Sequence, residues 1–387
     1  MYDFDNIAER RNTGSLKWDV KENELPMWVA DMDFKAPECI RKIIEERLDV
    51  CAYGYSDVPE EYYDSYIKFW NDKHKVLFDR NDMIFSTGVV PSLSASVRAL
   101  TNVAERVVIL TPVYNIFFNS IYNNGRNIIE IPLLLNDGKY SIDYDSLENE
   151  LNNPQTTMLI MCNPHNPVGV IWSKEELAKI GHLCAINDVV VVSDEIHSDI
   201  TRNNMNYNSF YGINDECKNN SIVLVSASKA FNLAGFQASM AIIHNRKLYN
   251  KFNRELNTSE CAEGNFFSFY ASIAAFNEGR EWLNELNLYI DKNFEYYYDF
   301  IKNNIKNAKT IKEEATYLAW LDVRDITMDD IKLSKFIRER TGLYISAGSS
   351  YGKSGRGFLR INLATSKKNV IDGLNRLKKG IELFSNC

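Results

Sequence analysis

Five short runs rich in Val, Ile and Leu constrain this chain more than any other feature. They are RVVILTP (106–112), NIIEIPL (127–133), TMLIMCNP (157–164), VVVVSDEI (189–196) and SIVLVSAS (221–228). Apolar runs without alternation suit strands buried on both faces, and such strands belong to mostly parallel sheets covered by helices. Helical signals fall between them. Ser173 stands ahead of Glu175, Glu176 and LAKIGHLCAI, which reads as a serine cap, an acidic first turn and an apolar stripe. Strands alternating with helices predict an α/β fold with a mostly parallel central sheet.

After about residue 283 the texture changes. LNLYIDKNFEYYYDFIKNNI reads as a long polar helix, YLAWLDV and GFLRINLA as strands, and KLSKFIRER and the last stretch as helices. A chain of 387 residues exceeds the size at which one core usually stops growing. The expected division is a large domain over 48–283 and a smaller α+β domain over 284–387, joined by the segment 1–47.

A net charge of −8 argues against a nucleic-acid partner, because phosphate binding needs clustered Lys and Arg. The seven cysteines show no C-x-x-C spacing and read as reduced thiols of a cytoplasmic protein. The first residues lack a signal-peptide pattern, and no apolar run approaches the ~20 residues of a membrane helix. The five histidines show no zinc-ligand spacing. The GSSYGKS stretch (348–354) imitates a phosphate loop but has one residue too few between its glycines, and a strand-like run follows it where a helix is required. The aromatic YDSYIKFW (63–70) and EYYYDF (295–300) read as helix-packing stripes.

Three of the five strands end in residues able to do chemistry, and open α/β sheets build their sites at strand carboxyl ends. Lys229 follows SAS directly. It reads either as a surface lysine in a turn or as an amine made nucleophilic by burial beneath the following AFNLAGF. Asp194 ends VVVVSD; it caps the next helix, it or Glu195 binds a metal, or it pairs with a buried cation such as a protonated cofactor ring. NPHNPVG (163–169) is a turn on any reading, and its Asn166 amide offers a donor to a ring oxygen.

The order NPHNPVG, SDEIH and SASK, with Asp194 28 residues after Asn166 and Lys229 35 residues after Asp194, resembles the fold-type-I pyridoxal-5′-phosphate enzymes of the class I/II aminotransferase superfamily. MWVADMDF (27–34), YGYS (53–56), TPVYNIF (111–117), SKAFNLAGFQ and YGKSGRGFLRINLA extend the likeness along the whole chain. They resemble most the cystathionine β-lyase-like C-S lyases of the MalY/PatB group. The resemblance implies an aspartate aminotransferase-like fold, with Lys229 as the cofactor-bearing lysine and acid/base and Asp194 at the pyridine nitrogen. It places Asn166 and His197 near the ring oxygen and Tyr114 on the ring face. Gly88, Val89 and Val90 would open a helix toward the phosphate, joined by Ser226 and Ser228. Tyr55 would reach the phosphate from the neighbouring subunit of a homodimer. Arg360 would bind the carboxylate of an amino-acid substrate through its bidentate fork. Two positions depart from the aspartate aminotransferases: His197 replaces their ring-oxygen tyrosine, and Gln237 replaces a phosphate-binding arginine. Both departures favour a lyase that releases thiol, pyruvate and ammonia over the alternative, an aminotransferase. A protein-binding regulatory role on the same fold is the third reading.

Overall fold

The computed structural model describes residues 2–386. The five apolar runs all form strands: β2 (Arg106–Thr111), β3 (Asn127–Pro132), β4 (Thr156–Cys162), β5 (Val190–Asp194) and β6 (Ser221–Val225). Two further strands, β1 (Met83–Ser86) and β7 (Ser239–Ile242), complete a seven-stranded sheet of order β1-β7-β6-β5-β4-β2-β3. Strands β2 to β6 pair in parallel, whereas β7 runs antiparallel to both β6 and β1. The sheet is therefore mostly parallel, as expected, with a mixed edge that the sequence reading did not include.

Alternate residues of each strand enter different cores. Val107 and Ile109 pack with Leu93 and Val97 on one face, while Val108 and Leu110 join Leu159, Met161 and Val191 on the other. This is the two-residue period of a pleated strand expressed in a sheet covered on both sides. The helix after Ser173, Lys174–Ile186, carries a capping box: Ser173 accepts from the Glu176 N–H, and the Glu176 carboxylate accepts from the Ser173 N–H.

The chain leaves β2 toward one edge, forms β3, and then returns across β2 to lay down β4, β5 and β6. The order reverses between β2 and β4, and a crevice opens at their carboxyl ends.

The carboxyl-terminal part holds a four-stranded antiparallel sheet of β8 (Lys309–Thr310), β9 (Leu318–Asp322), β10 (Ser346–Ala347) and β11 (Phe358–Asn362), in the order β8-β9-β11-β10. Trp320 on β9 stacks on Phe358 of β11, with ring centroids 5.1 Å apart. Leu25–Pro26 pairs in parallel with Leu343–Tyr344, so the amino-terminal segment is stitched to this part of the chain. The long helix Arg280–Asn304 runs unbroken across position 284, and the change of texture noted there falls inside a helix rather than at a linker. The aromatic stripes face inward: Tyr66, Phe69 and Trp70 of helix Glu60–His74, and Tyr297 of the long helix, are buried. Residues 348–355 form two short turns of 3-10 helix leading to β11. Six cysteines are free thiols, and Cys387 lies outside the described residues. Among the described residues no helix is long and apolar enough to cross a membrane.

Candidate active site

A cavity of about 410 Å³ occupies the crevice at the strand ends. Gly88, Val89, Val90, Tyr114, Asn166, Asp194, His197, Ser228 and Lys229 all line it. Each arrives there because a strand or helix ends there. Tyr114 follows β2, Asn166 follows β4, Asp194 closes β5 and Lys229 sits in the turn after β6. Gly88 is the N-cap of helix Val89–Leu100 and adopts φ +135°, a region that favours glycine. No side chain caps that helix, so its first N–H groups and the positive end of its dipole face the cavity, an arrangement suited to a phosphate.

The Lys229 amine donates to the Ala30 carbonyl, which also accepts from Tyr317 Oη at 3.0 Å. Burial lowers the amine from 10.5 to about 8; Asp31 and Asp194 oppose the lowering and the Arg360 guanidinium adds to it. A lysine so placed is partly neutral near physiological pH, the state a nucleophile or base requires. Asp194 is pushed the other way. Burial raises it to about 7, against the Ile196 N–H that donates to it at 3.2 Å and the charge of Lys229. Such an acid is held ready for a cationic or N–H partner, which would restore its charge.

Burial, with the charges of Lys229 and Arg360, lowers His197 to about 3, so its ring is neutral. Its Nδ1 is buried without a hydrogen-bond partner. Burial raises the Tyr114 phenol to about 12, with Asp194 adding to the effect.

Arg360 lies on β11 opposite Trp320 and Ser346. It is buried, donates through Nη2 to the Trp28 carbonyl at 2.8 Å and through Nη1 to Asn166 Oδ1 at 3.3 Å, and lies over the Tyr351 ring at 4.7 Å. Its Nε has no partner. The turn that presents Asn166 closes through His165 N–H to the Val170 carbonyl and Gly169 N–H to the His165 carbonyl. Gly169 has φ +71°, and a Cβ there would stand 2.5 Å from Glu313 Cβ, so only glycine fits.

Three expected residues are not part of the cavity wall: Ser226, Tyr55, and Arg360, which reaches it through Asn166. Ser226 is buried behind Ser228: its Oγ donates to the Ala238 carbonyl at 2.7 Å and lies 3.0 Å from Ser228 Oγ. Tyr55 is fully exposed, in a shallow hollow with Tyr53, Phe266 and Phe267, and no part of it reaches the cavity of its own chain. Sequence reasoning did not assign Ala30, Thr87, Cys162 or Ile196 to the cavity wall. Thr87, next to Gly88, carried a usable positional signal; Ala30, 199 residues from Lys229, carried none. Gln237 also lines the wall, with φ +54°.

A lowered lysine, a raised acid and an open helix N-terminus around one cavity define a class of enzyme that holds an anionic cofactor through lysine chemistry. The chain belongs to the aminotransferase class I and II family, whose sequence model matches residues 25–377. It is 39% identical over 385 residues to cystathionine β-lyase PatB of Bacillus subtilis (strain 168), covering 98% of this chain and 99% of that protein. Among solved structures it is similar to pyridoxal 5′-phosphate-containing cystalysin from Treponema denticola, with 34% identity, TM-score 0.96, and 99% of each chain covered. The pyridoxal-phosphate-bound C-S lyase from Staphylococcus hominis follows at 32% identity and TM-score 0.92, with 98% of each chain covered.

Proposed function

We propose that the protein is a pyridoxal-5′-phosphate-dependent carbon-sulfur β-lyase, acting on L-cystathionine or another S-substituted L-cysteine. With water it releases a thiol, pyruvate and ammonia. The observation that carries this reading is the convergence of Lys229, Asp194, Asn166 and the uncapped helix at Gly88 on one cavity, with Arg360 bonded to Asn166. Full-length similarity to PatB supports the lyase assignment.

The cavity fits the cofactor on its own terms. It has an N–H-rich helix end for the phosphate and a buried acid for the ring nitrogen. It also has an unpartnered His197 Nδ1 and an amine of lowered proton affinity. Bound there, the cofactor supplies an electron sink for the pair left at the substrate Cα. Lys229 would hold it, and its amine, of lowered proton affinity, is the base that would remove the Cα proton. Asp194 would hold the ring nitrogen in its protonated form, Asn166 and His197 would serve the ring oxygen, and Tyr114 would offer an aromatic face for stacking. Ser228, with Ser226 behind it, would add a hydroxyl donor at the phosphate end. Arg360 would take the substrate carboxylate on the side of its guanidinium where Nε is unpaired.

The same proposal includes a cytoplasmic homodimer in which Tyr55, exposed in its own chain, completes the neighbouring phosphate site. It also groups residues 1–47 with 284–387 against a large domain at 48–283, supported by the pairing of Leu25–Pro26 with Leu343–Tyr344.

An aminotransferase would use the same lysine, aspartate and arginine, so products decide. The purified holoenzyme, given L-cystathionine without any keto acid, is expected to release pyruvate and thiol in equal amounts. Strict dependence on an added keto acid would overturn the lyase reading in favour of transamination.

A further inference from the structure

The segment 28–33 touches the cavity at Ala30 and forms a strap whose successive carbonyls are all taken. Trp28 O accepts from Arg360, Val29 O and Asp31 O from Asn362 Nδ2 at 2.6 Å each, Ala30 O from Lys229, and Met32 O from Asn232 Nδ2 at 3.0 Å. Beneath it lies an ion cluster that the mechanism above does not use. Lys17, with its side chain 1% exposed, places Nζ 2.8 Å from Asp33 Oδ1 and 3.6 Å from Asp31 Oδ1, and donates to the Asp31 carbonyl at 3.1 Å. Arg10 donates to Asp31 Oδ2 at 2.8 Å and to the Met32 carbonyl at 3.1 Å. Trp18 Nε1 donates to Asp33 Oδ1 at 2.7 Å.

A fully buried lysine is costly unless paired, and this one is spent on two carboxylates of the strap. Asp31 is the one joined directly to Ala30, and its Oδ1 accepts no hydrogen bond. We propose that Asp31 is a positioning residue for Lys229: pinned by Lys17 and Arg10, it fixes the Ala30 carbonyl at the amine and holds a carboxylate one residue from that contact. The inference rests on the reading of Lys229 as the cofactor lysine and base.

Three charged groups act on Lys229, one from each element around it. Asp31 comes from the strap and Asp194 from the end of β5, and both favour the ammonium; Arg360 comes from β11 and disfavours it. Asp31 in turn faces Lys17 and Arg10, with Asp33 two residues along, and Tyr317 feels its charge across the shared Ala30 carbonyl. Burial alone would leave the amine a poor proton holder. A base that takes a proton from carbon and later returns it works best when its proton affinity lies near the working pH, and the strap supplies the correction.

The test is made on cofactor-free protein. Pulses of acetic anhydride from about pH 6 to about pH 10 bracket the titration of a lowered lysine, and mass spectrometry of the Lys229 peptide reads the fraction acetylated. Asp31→Asn keeps an acceptor for Arg10 and removes the charge. The labelling midpoint is expected to fall by about one pH unit, so that Lys229 reacts about tenfold faster below the midpoint. Asp33→Asn, which disturbs the same ion cluster one step further from the amine, is expected to leave the midpoint in place. Circular dichroism and melting establish that both variants are folded. An unmoved midpoint in folded Asp31→Asn would overturn the proposal, as would an equal fall in Asp33→Asn, which would mean a loosened strap rather than a lost charge. Borohydride trapping of pyridoxal phosphate on a different lysine would contradict the functional reading instead, since the titration is read without the cofactor.

Discussion

Removing the whole Arg360 guanidinium should cost more than removing its planar fork alone, and the structure sets the scale. Arg360 is buried, held by the Trp28 carbonyl at 2.8 Å and by Asn166 Oδ1 at 3.3 Å, with Nε unpaired. A substrate carboxylate meeting this fork gains two charge-assisted hydrogen bonds, each worth about 1.5–3 kcal/mol. In Arg360→Ala both are lost, and kcat/KM for L-cystathionine should fall between about a hundredfold and about ten-thousandfold. Arg360→Lys keeps a charge but presents a point donor in place of a planar fork, and should lose about ten- to a hundredfold. A second effect follows from the sign of the charge. The guanidinium depresses the Lys229 amine, so Arg360→Ala should shift the acid limb of kcat/KM to higher pH. Initial rates of pyruvate release across pH measure both effects, and titration of the cofactor-free variant with pyridoxal phosphate gives the control. A loss below about tenfold, or a loss found wholly in cofactor affinity, would refute the carboxylate role.

The other predictions concern the acid, the lysine and a helix cap. Asp194→Ala deletes the buried partner of the ring nitrogen and should lower kcat at saturating cofactor by at least about a hundredfold, the scale of breaking a buried pair, as read by pyruvate release. Lys229→Met should stabilise the cofactor-free protein. The native amine, at about 8 against an ordinary 10.5, binds fewer protons folded than unfolded between those values, so folding is penalised below that window. The melting-temperature advantage of Lys229→Met should therefore shrink as pH rises through that window. Ser173→Ala removes the hydroxyl that accepts from the Glu176 N–H at 3.2 Å and should cost about 1 kcal/mol in denaturant unfolding with activity unchanged.

Four of the large sheet's five parallel strands are almost wholly buried, the edge strand Asn127–Pro132 only partly, and much of the sheet was legible because such strands spell themselves out in runs rich in Val, Ile and Leu. The strands Met83–Ser86 and Ser239–Ile242 were not, since MIFS and SMAI are four residues long and carry no period that separates them from a turn. Lys229, Asp194 and Asn166 could be singled out because each sits where a strand signal stops, and a strand end in an open sheet points to the crevice. Ala30 and Lys17 could not. Their roles come from a strap folded back to touch the cavity from the far end of the chain, and a carbonyl that accepts from a lysine leaves no mark on its residue type. Arg360 lies mid-strand in the second sheet, where an arginine by itself reads as an exposed edge charge; the likeness of RINLA to the family's arginine was the only signal. Ser226 was placed near the right turn, yet its hydroxyl is turned to the Ala238 carbonyl, a choice made by packing behind the cavity that residue order does not encode.

The account turns on Lys229 as the residue that carries the cofactor. Borohydride reduction of the pyridoxal-phosphate-loaded protein, followed by peptide mass mapping, tests this most directly. The account predicts a single cofactor adduct, on Lys229, that disappears in Lys229→Ala together with pyruvate release. An adduct on another lysine, or undiminished pyruvate release by Lys229→Ala, would contradict it.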